Sequence, residues 1–301
     1  MKAAVLGSPV SHSLSPVLHR AAYAALGLRG WSYSAIDCRE PQLADLLGRL
    51  DESWAGLSLT MPLKRAVLPW LDDVDPLAEA VGGANTVVFR GGRRRGFNTD
   101  VGGMVDALAG AGVITGAPIA AAPALVIGAG ATACAALAAL REIGFRHADV
   151  AARDTSRAGE LLAAAQRLGV GVGLRDLSSL GRGEPRAACG GATARLVICT
   201  IPPRAADSVA PSLCGPPRGP DVVFDVAYDP WPTRLAEAAQ AAGCAVVAGF
   251  ELLVHQAARQ VELMTGQTAP REAMRRAGLA ELAERQDLGA PGTRRSDPHA
   301  E

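Results

Sequence analysis

The sequence predicts an α/β fold in two domains, and three observations carry that expectation. Strand-like and helix-like segments alternate along the chain, a glycine turn separates a strand from a helix in the second half, and Ala and Gly dominate an apolar set with only 4% aromatics. Small side chains favour close packing of helix on sheet. The 301 residues, 49% of them hydrophobic, suffice for two cores. Lys+Arg (30) balance Asp+Glu (30), which leaves no electrostatic footprint for nucleic acid or an anionic membrane. A small molecule is the expected partner. None of the six cysteines stands in a C-x-x-C pair or within four residues of a histidine, so no zinc site or disulfide framework is expected. That usage, and a start lacking a secretory leader, suggest a reducing, cytoplasmic location. The charge-free run from Ala107 to Arg141 is long enough for a membrane span, but Gly116, Pro118, Pro123, Gly128 and Gly130 break it into loop, strand and helix.

Taken in order, the first half reads as strand "AAVLG", a helix from Ser15 to Leu26, strand "WSYSAID", helix "PQLADLLGRL" and strand "GLSLT". A helix from Val74 to Val81 and two short strands, "TVVFR" and "RRRGF", follow. Ser15 and Pro16 read as N-cap and first-turn residues. Arg93 to Arg95, at the hairpin, read as a solvated turn. After a helix from Val101 to Ala111, a second series runs through "ALVIGAGATACAALAALREIG", "ADVAARD", "ARLVICT", "DVVFDVA" and "CAVVAG". Helix "GFELLVHQAARQVELMTG", apolar at Leu253, Ala257, Val261 and Met264, returns the chain to the first domain. The expected division is 1–103 plus about 250–285 for one domain and 104–249 for the other, with 286–301 a disordered tail.

The chemistry concentrates in a few motifs. In "LVIGAGATA", Gly128 and Gly130 stand between strand and helix, where a G-x-G turn brings backbone N–H groups and a helix dipole against a pyrophosphate; Ala133 takes the third glycine position. The following strand ends in "AARDTSR". Arg153 and Arg157 suit a ribose 2′-phosphate and outnumber Asp154, which favours NADP over NAD. "GLSLTMPLK" puts Thr60 and Lys64 beyond a strand end, and "GFNTDVGG" puts Asp100 at a helix start. A lysine beside an aspartate could deliver a proton to a carbonyl as a hydride arrives. Asn85 of "GGANT" is an amide suited to a substrate hydroxyl. His12, without an acid nearby, reads as structural, and of the neighbours His255 and Gln256 only one can face a cleft, with Gln256 favoured.

"GSPVSHSLSPVLH", "GLSLTMPLK", "GGANT", "GFNTDVGG", "IGAGATA", "DVAYDPWPT" and "GFELLVHQA" occur in an order and spacing that resembles the shikimate dehydrogenase family from residue 1 to about 280. The resemblance implies an N-terminal α/β substrate-binding domain and a Rossmann-type doubly wound NADP-binding domain, with the C-terminal helix returning to the first. It implies reversible NADPH-dependent reduction of 3-dehydroshikimate to shikimate, in chorismate and aromatic amino-acid biosynthesis. Lys64 and Asp100 would be the catalytic pair. Ser13 and Ser15 would bind the substrate carboxylate, Thr60, Asn85, Asp100 and Gln256 its hydroxyls, and Tyr228 would lie nearby. Gly128, Ala129, Gly130, Ala131, Thr132, the loop Ala152, Arg153, Asp154, Thr155, Ser156, Arg157, and Thr200, Val226 and Gly249 would hold NADP(H). A homodimer is compatible with this reading. The chain departs from the family's pattern at Ser58, where Asn is common, and at Ala152 to Asp154, where Asn-Arg-Thr is common. An NAD-dependent quinate/shikimate dehydrogenase and a non-catalytic dinucleotide- or shikimate-binding regulator are the alternatives.

Overall fold

The computed structural model describes residues 1–112, 124–181, 187–188, 192–214 and 220–289. In chain order its strands and helices are β1 (Lys2–Gly7), α1 (Ser15–Ala25), β2 (Ser32–Asp37), α2 (Leu43–Gly48), β3 (Trp54–Leu59), α3 (Leu63–Ala66), β4 (Asp73–Val74), α4 (Pro76–Val81), β5 (Thr86–Arg90), β6 (Arg93–Phe97) and α5 (Thr99–Gly110). These are followed by β7 (Ala124–Ile127), α6 (Ala131–Glu142), β8 (His147–Ala152), α7 (Gly159–Leu168), β9 (Gly171–Asp176), β10 (Ala187–Ala188), β11 (Ala192–Thr193), β12 (Leu196–Cys199), α8 (Ala210–Cys214), β13 (Val222–Asp225), α9 (Arg234–Ala241), β14 (Ala245–Ala248), α10 (Gly249–Thr265) and α11 (Arg271–Gly289).

Two six-stranded sheets result. The first has the order β2-β1-β3-β5-β6-β4 and is mixed: β1 runs parallel to β2 and β3, whereas β5 is antiparallel to both β3 and β6. The second, β14-β13-β12-β7-β8-β9, is parallel throughout, and its order reverses at β7 and β12. Such a reversal opens a crevice beyond the strands' carboxyl ends. Side chains alternate across each sheet as the period of two requires. In β1, Ala3 and Val5 face α1 and α10, while Ala4 and Leu6 face α2 and α3. In β7, Ala124 and Val126 pack against α6, and Leu125 and Ile127 join the opposite face.

Helices α5 and α10 pack against each other and connect the sheets. Val101, Met104, Ala107 and Leu108 of α5 bury in the second sheet's core, as does Leu252 of α10, while Phe250 and Val254 of α10 bury in the first. Helix α5 is continuous across residue 103, the expected end of the first domain.

Several local expectations change. Leu14, not Ser15, occupies the cap position of α1; Ser13 Oγ instead accepts the Ser15 amide, at 3.3 Å. The cause is the tight turn at Ser13, which puts Ser15 inside the first turn. Arg93 to Arg95 lie in β6 rather than in the turn itself, whose tip is Gly91 and Gly92, although Arg93 and Arg95 stay solvent-exposed as expected. Arg93 forms a fork with Asp73 (2.9 and 2.8 Å), the Arg94 amide donates to Asp72, and Arg95 lies over Phe97, so the run fastens β4 to the sheet edge. Helix α11 continues to Gly289, past the expected start of the tail, because Gly278 sits against Phe250 and Leu18 and the helix packs along α1. Residues 290–301 of that tail, Cys189, and the loop part of the charge-free run, 113–123, lie outside the described residues. Among the described residues no helix is long and apolar enough to cross a membrane.

Candidate active site

Residues from both sheets line a cavity of about 230 Å³. From the first come Ser13 and Ser15 at the start of α1, Thr60 and Lys64 just past β3, Asn85 at the entry to β5 and Asp100 in the first turn of α5. From the second come Val226 and Tyr228 beyond β13, and α10 contributes Gly249 and Gln256 at the junction. All eight residues expected around a substrate therefore meet in one place. The 3.6-residue turn of α10 separates the two neighbours: Gln256 faces the cavity, and His255 faces Asp106 (3.8 Å) and Glu251 (3.9 Å).

At the floor, Lys64 Nζ donates to Asp100 Oδ2 at 2.6 Å, with the two side chains 15% and 8% exposed. The other carboxylate oxygen accepts from Asn85 Nδ2 at 2.8 Å. Asp100 is held by its helix: Asn98 caps α5 through its side-chain carbonyl, accepting the Asp100 amide at 3.1 Å, and Asn98 Nδ2 donates to Gly83 O at 2.8 Å. Lys64 is held by the reach of α3, whose Lys64 carbonyl accepts the Ala84 amide at 2.8 Å. Cation and carboxylate thus come from segments locked to the same strand entry. One end of the cavity carries Ser13, Ser15 and His12; with the Ser15 hydroxyl free of capping duty, that end offers hydroxyl donors beside the N-terminus of α1, a setting for an anion.

Tyr228 stands on a loop pinned by Asp225, whose carboxylate accepts from the Ala227 amide (3.1 Å) and Thr233 Oγ1 (2.7 Å). Burial raises the Asp225 carboxyl and the Tyr228 phenol above their usual ranges, with Arg285 opposing the shift at Tyr228. Gly249 is required by close approach, since a Cβ there would strike the Val226 carbonyl.

Of the residues expected to hold a dinucleotide, Gly128 to Thr132 follow β7, Ala152 to Arg157 run from the end of β8 and Thr200 follows β12, while Val226 and Gly249 line the cavity already described. Gly128 has φ +116°, and a Cβ on it would strike Thr200 Oγ1, whose hydroxyl donates to Ile127 O at 2.8 Å. Around Gly130 the space is open, and α6 begins there with no side-chain cap for its first-turn amides. These features suit a pyrophosphate. At the end of β8 Ala152 is buried, while in the loop that follows Arg153, Thr155, Ser156 and Arg157 are exposed. Asp154 is turned into its own loop, accepting from the Ser156 amide (3.0 Å) and hydroxyl (2.5 Å), so the carboxylate caps the turn at residues 155–157. Among the described residues there is no cluster of His, Cys, Asp or Glu that could hold a metal.

Residues 5–87 match the shikimate dehydrogenase substrate binding domain, and residues 249–277 match the shikimate 5′-dehydrogenase C-terminal domain. An NADP(+) shikimate dehydrogenase from Symbiobacterium thermophilum is 37% identical over 289 residues, covering 92% of this chain and 93% of the relative. The chain belongs to the shikimate dehydrogenase family. Within that family, the crystal structure of the Mycobacterium tuberculosis enzyme superposes with a TM-score of 0.79 at 40% identity, over 93% of this chain and 99% of its own. That of shikimate 5-dehydrogenase from Thermus thermophilus, in complex with NADP(H) and shikimate, gives 0.74 at 34%, over 93% and 99%. The same two-sheet architecture is therefore shared along nearly the whole chain.

The sequence reading missed Gln260, which lines the cavity floor and is 1% exposed, and treated Ser58 only as a departure from the family pattern. A signal was present: Gln260 follows Gln256 by four residues, which places both on one helical face.

Proposed function

We propose that the protein is an NADP-dependent shikimate dehydrogenase, catalysing the reversible reduction of 3-dehydroshikimate to shikimate in the cytoplasm. The observation that carries the reading is the 2.6 Å Lys64–Asp100 pair on the floor of a cavity shared by the two sheets. Residues 1–103 with about 250–285 would bind substrate and 104–249 dinucleotide. When bound, NADPH supplies the hydride that reduces the C3 carbonyl.

Lys64 gives the carbonyl oxygen its proton in reduction and takes it back in oxidation. Asp100 orients the ammonium, and Asn85 fixes the carboxylate by occupying its second oxygen. Ser13 and Ser15 receive the substrate carboxylate at the α1 end. Thr60, Asn85, Asp100 and Gln256 position the ring hydroxyls, and Tyr228 closes the side facing the second sheet. Gly128 to Thr132 with Thr200 hold the pyrophosphate, Arg153 and Arg157 hold the 2′-phosphate, and Val226 and Gly249 line the nicotinamide end. Because Asp154 is engaged in its own turn, the two arginines decide the sign of the loop.

The test is the kcat/KM of shikimate oxidation with NADP against NAD, and with quinate replacing shikimate. A preference for NADP and shikimate is expected. A preference for NAD and quinate points to the quinate/shikimate alternative, and binding without turnover to the regulator.

A further inference from the structure

A buried chain of polar side chains runs from α1 to the cavity floor, and the reaction as described uses only its last two members, Asn85 and Asp100. His19 of α1 is 0% exposed and stacks on Tyr33 with ring centroids 4.0 Å apart. Its Nε2 lies 3.2 Å from Gln260 Oε1, and its Nδ1 lies 3.5 Å from the Tyr23 hydroxyl. Desolvation lowers its pKa to about 3, so the ring is neutral near pH 7 and carries one proton. An amide oxygen can only accept, so that proton is on Nε2, and Nδ1 is left as an acceptor facing the Tyr23 hydroxyl.

The remaining directions follow by the same inventory of donors and acceptors. Gln260 Oε1 also accepts from Ser58 Oγ at 2.7 Å, while Ser58 in turn accepts from the Tyr33 hydroxyl at 2.6 Å. Both acceptor sites of the Gln260 oxygen are thereby taken, and its amide cannot flip. Its nitrogen donates to Thr86 Oγ1 at 3.1 Å and to the Asn85 carbonyl at 3.3 Å. The Thr86 hydroxyl, accepting there, sends its own proton to Asn85 Oδ1 at 2.8 Å. With that oxygen held also by the Thr99 amide at 2.8 Å, the Asn85 nitrogen is left pointing at Asp100 Oδ1. Every bond runs one way, from His19 through Gln260, Thr86 and Asn85 to Asp100.

We infer that Gln260 is a positioning residue: anchored by His19 and Ser58, it orders the Thr86 hydroxyl and the Asn85 amide so that Asn85 donates to Asp100 and leaves the opposite carboxylate oxygen for Lys64. A reversed Asn85 amide would set its carbonyl against the carboxylate, and Asp100 would swing away from the ammonium. Chains of hydrogen bonds also polarise each successive donor in the same sense. The inference rests on the proposed proton-transfer role of Lys64 and Asp100.

The test compares Gln260→Met and Thr86→Val, near in volume to the originals, singly and combined, beside Lys64→Ala in the full-length protein. Each single variant is expected to lower kcat about tenfold, the rate equivalent of one misplaced buried hydrogen bond, with KM for NADP unchanged. Because both break the same chain, the double variant is expected to be no slower than the worse single by more than about twofold. Loss of volume or packing alone would not spare KM for NADP while lowering kcat. Wild-type kcat in either folded variant, or a loss in the double equal to the product of the singles, overturns the inference. Should Lys64→Ala itself retain kcat, the proton-transfer reading fails and the inference with it. Should one variant not fold, the other decides by the same kcat criterion.

Discussion

The two sheets solve different problems with different parts of the chain. Around the mixed sheet, Ser15, His19, Ser58, Asn85, Thr86, Asn98, Thr99, Asp100, Gln256 and Gln260 are all buried polar side chains. Around the parallel sheet the buried interior is mostly Ala, Val, Leu and Ile, with Phe145, Phe224, Met104 and three cysteines among them, and the buried polar side chains among the described residues are Asp149, Asp225 and Thr233. The parallel sheet presents backbone to its ligand crevice: a glycine turn and uncapped helix amides. The mixed sheet presents side chains in a satisfied network. Backbone recognition tolerates a bland sequence so long as the turn geometry survives, whereas side-chain recognition demands particular atoms at particular heights on several strands.

That contrast is broken most sharply at Lys64. Lys64→Ala is expected to lower kcat by about 10²- to 10⁴-fold with a far smaller change in KM, as steady-state kinetics in both directions would read. Wild-type turnover in that variant would remove side-chain chemistry from the mixed sheet.

The second probe is stability against pH, through His19. Its folded pKa, about 3, lies below the ordinary 6.5, so the unfolded chain binds the proton first. Stability from this group is complete above pH 6.5 and falls with acidification by about 1.4 kcal/mol per unit until the folded pKa is reached. His19→Phe, which keeps a ring on Tyr33, is expected to lower the neutral-pH plateau and to flatten that slope in denaturant unfolding between pH 6.5 and 4.5. An identical slope in the variant would assign the acid sensitivity elsewhere.

The smallest effect tests the backbone side. Gly128→Ala forces a side chain into φ +116° and against Thr200, with a strain of about 1–3 kcal/mol. KM for NADP should rise roughly tenfold, toward the lower end of that range, while KM for shikimate stays near its original value. Equal rises in both would mean that the turn supports the whole cleft rather than one ligand.

Much of this arrangement is legible in the sequence. The alternation of elements and the strand–glycine–helix turn are carried by contiguous motifs, since turns, caps and strand ends are set by residues a few positions apart, whereas the pairing of Lys64 with Asp100 is implied only by the family resemblance of the motifs that hold them. The choice of Gln256 over its neighbour His255 is likewise local, because it follows from helical phase. Less legible is what lies under the site. Ser15 reads as a cap until the turn at Ser13 moves the start of α1, and three arginines read as a solvated turn until Asp72 and Asp73 are brought alongside.

By itself the sequence determined two α/β sheets, a dinucleotide-type turn and the residues at the rim and floor of a cleft. Only the tertiary structure decided that β5 enters the first sheet antiparallel, that α10 joins both cores while packing on α5, and that His19 meets Gln260 across 241 positions. The physical reason is that short-range pattern encodes propensity and burial. The partner of a buried polar atom is fixed by packing between segments remote in sequence, and no local window contains both ends of such a bond.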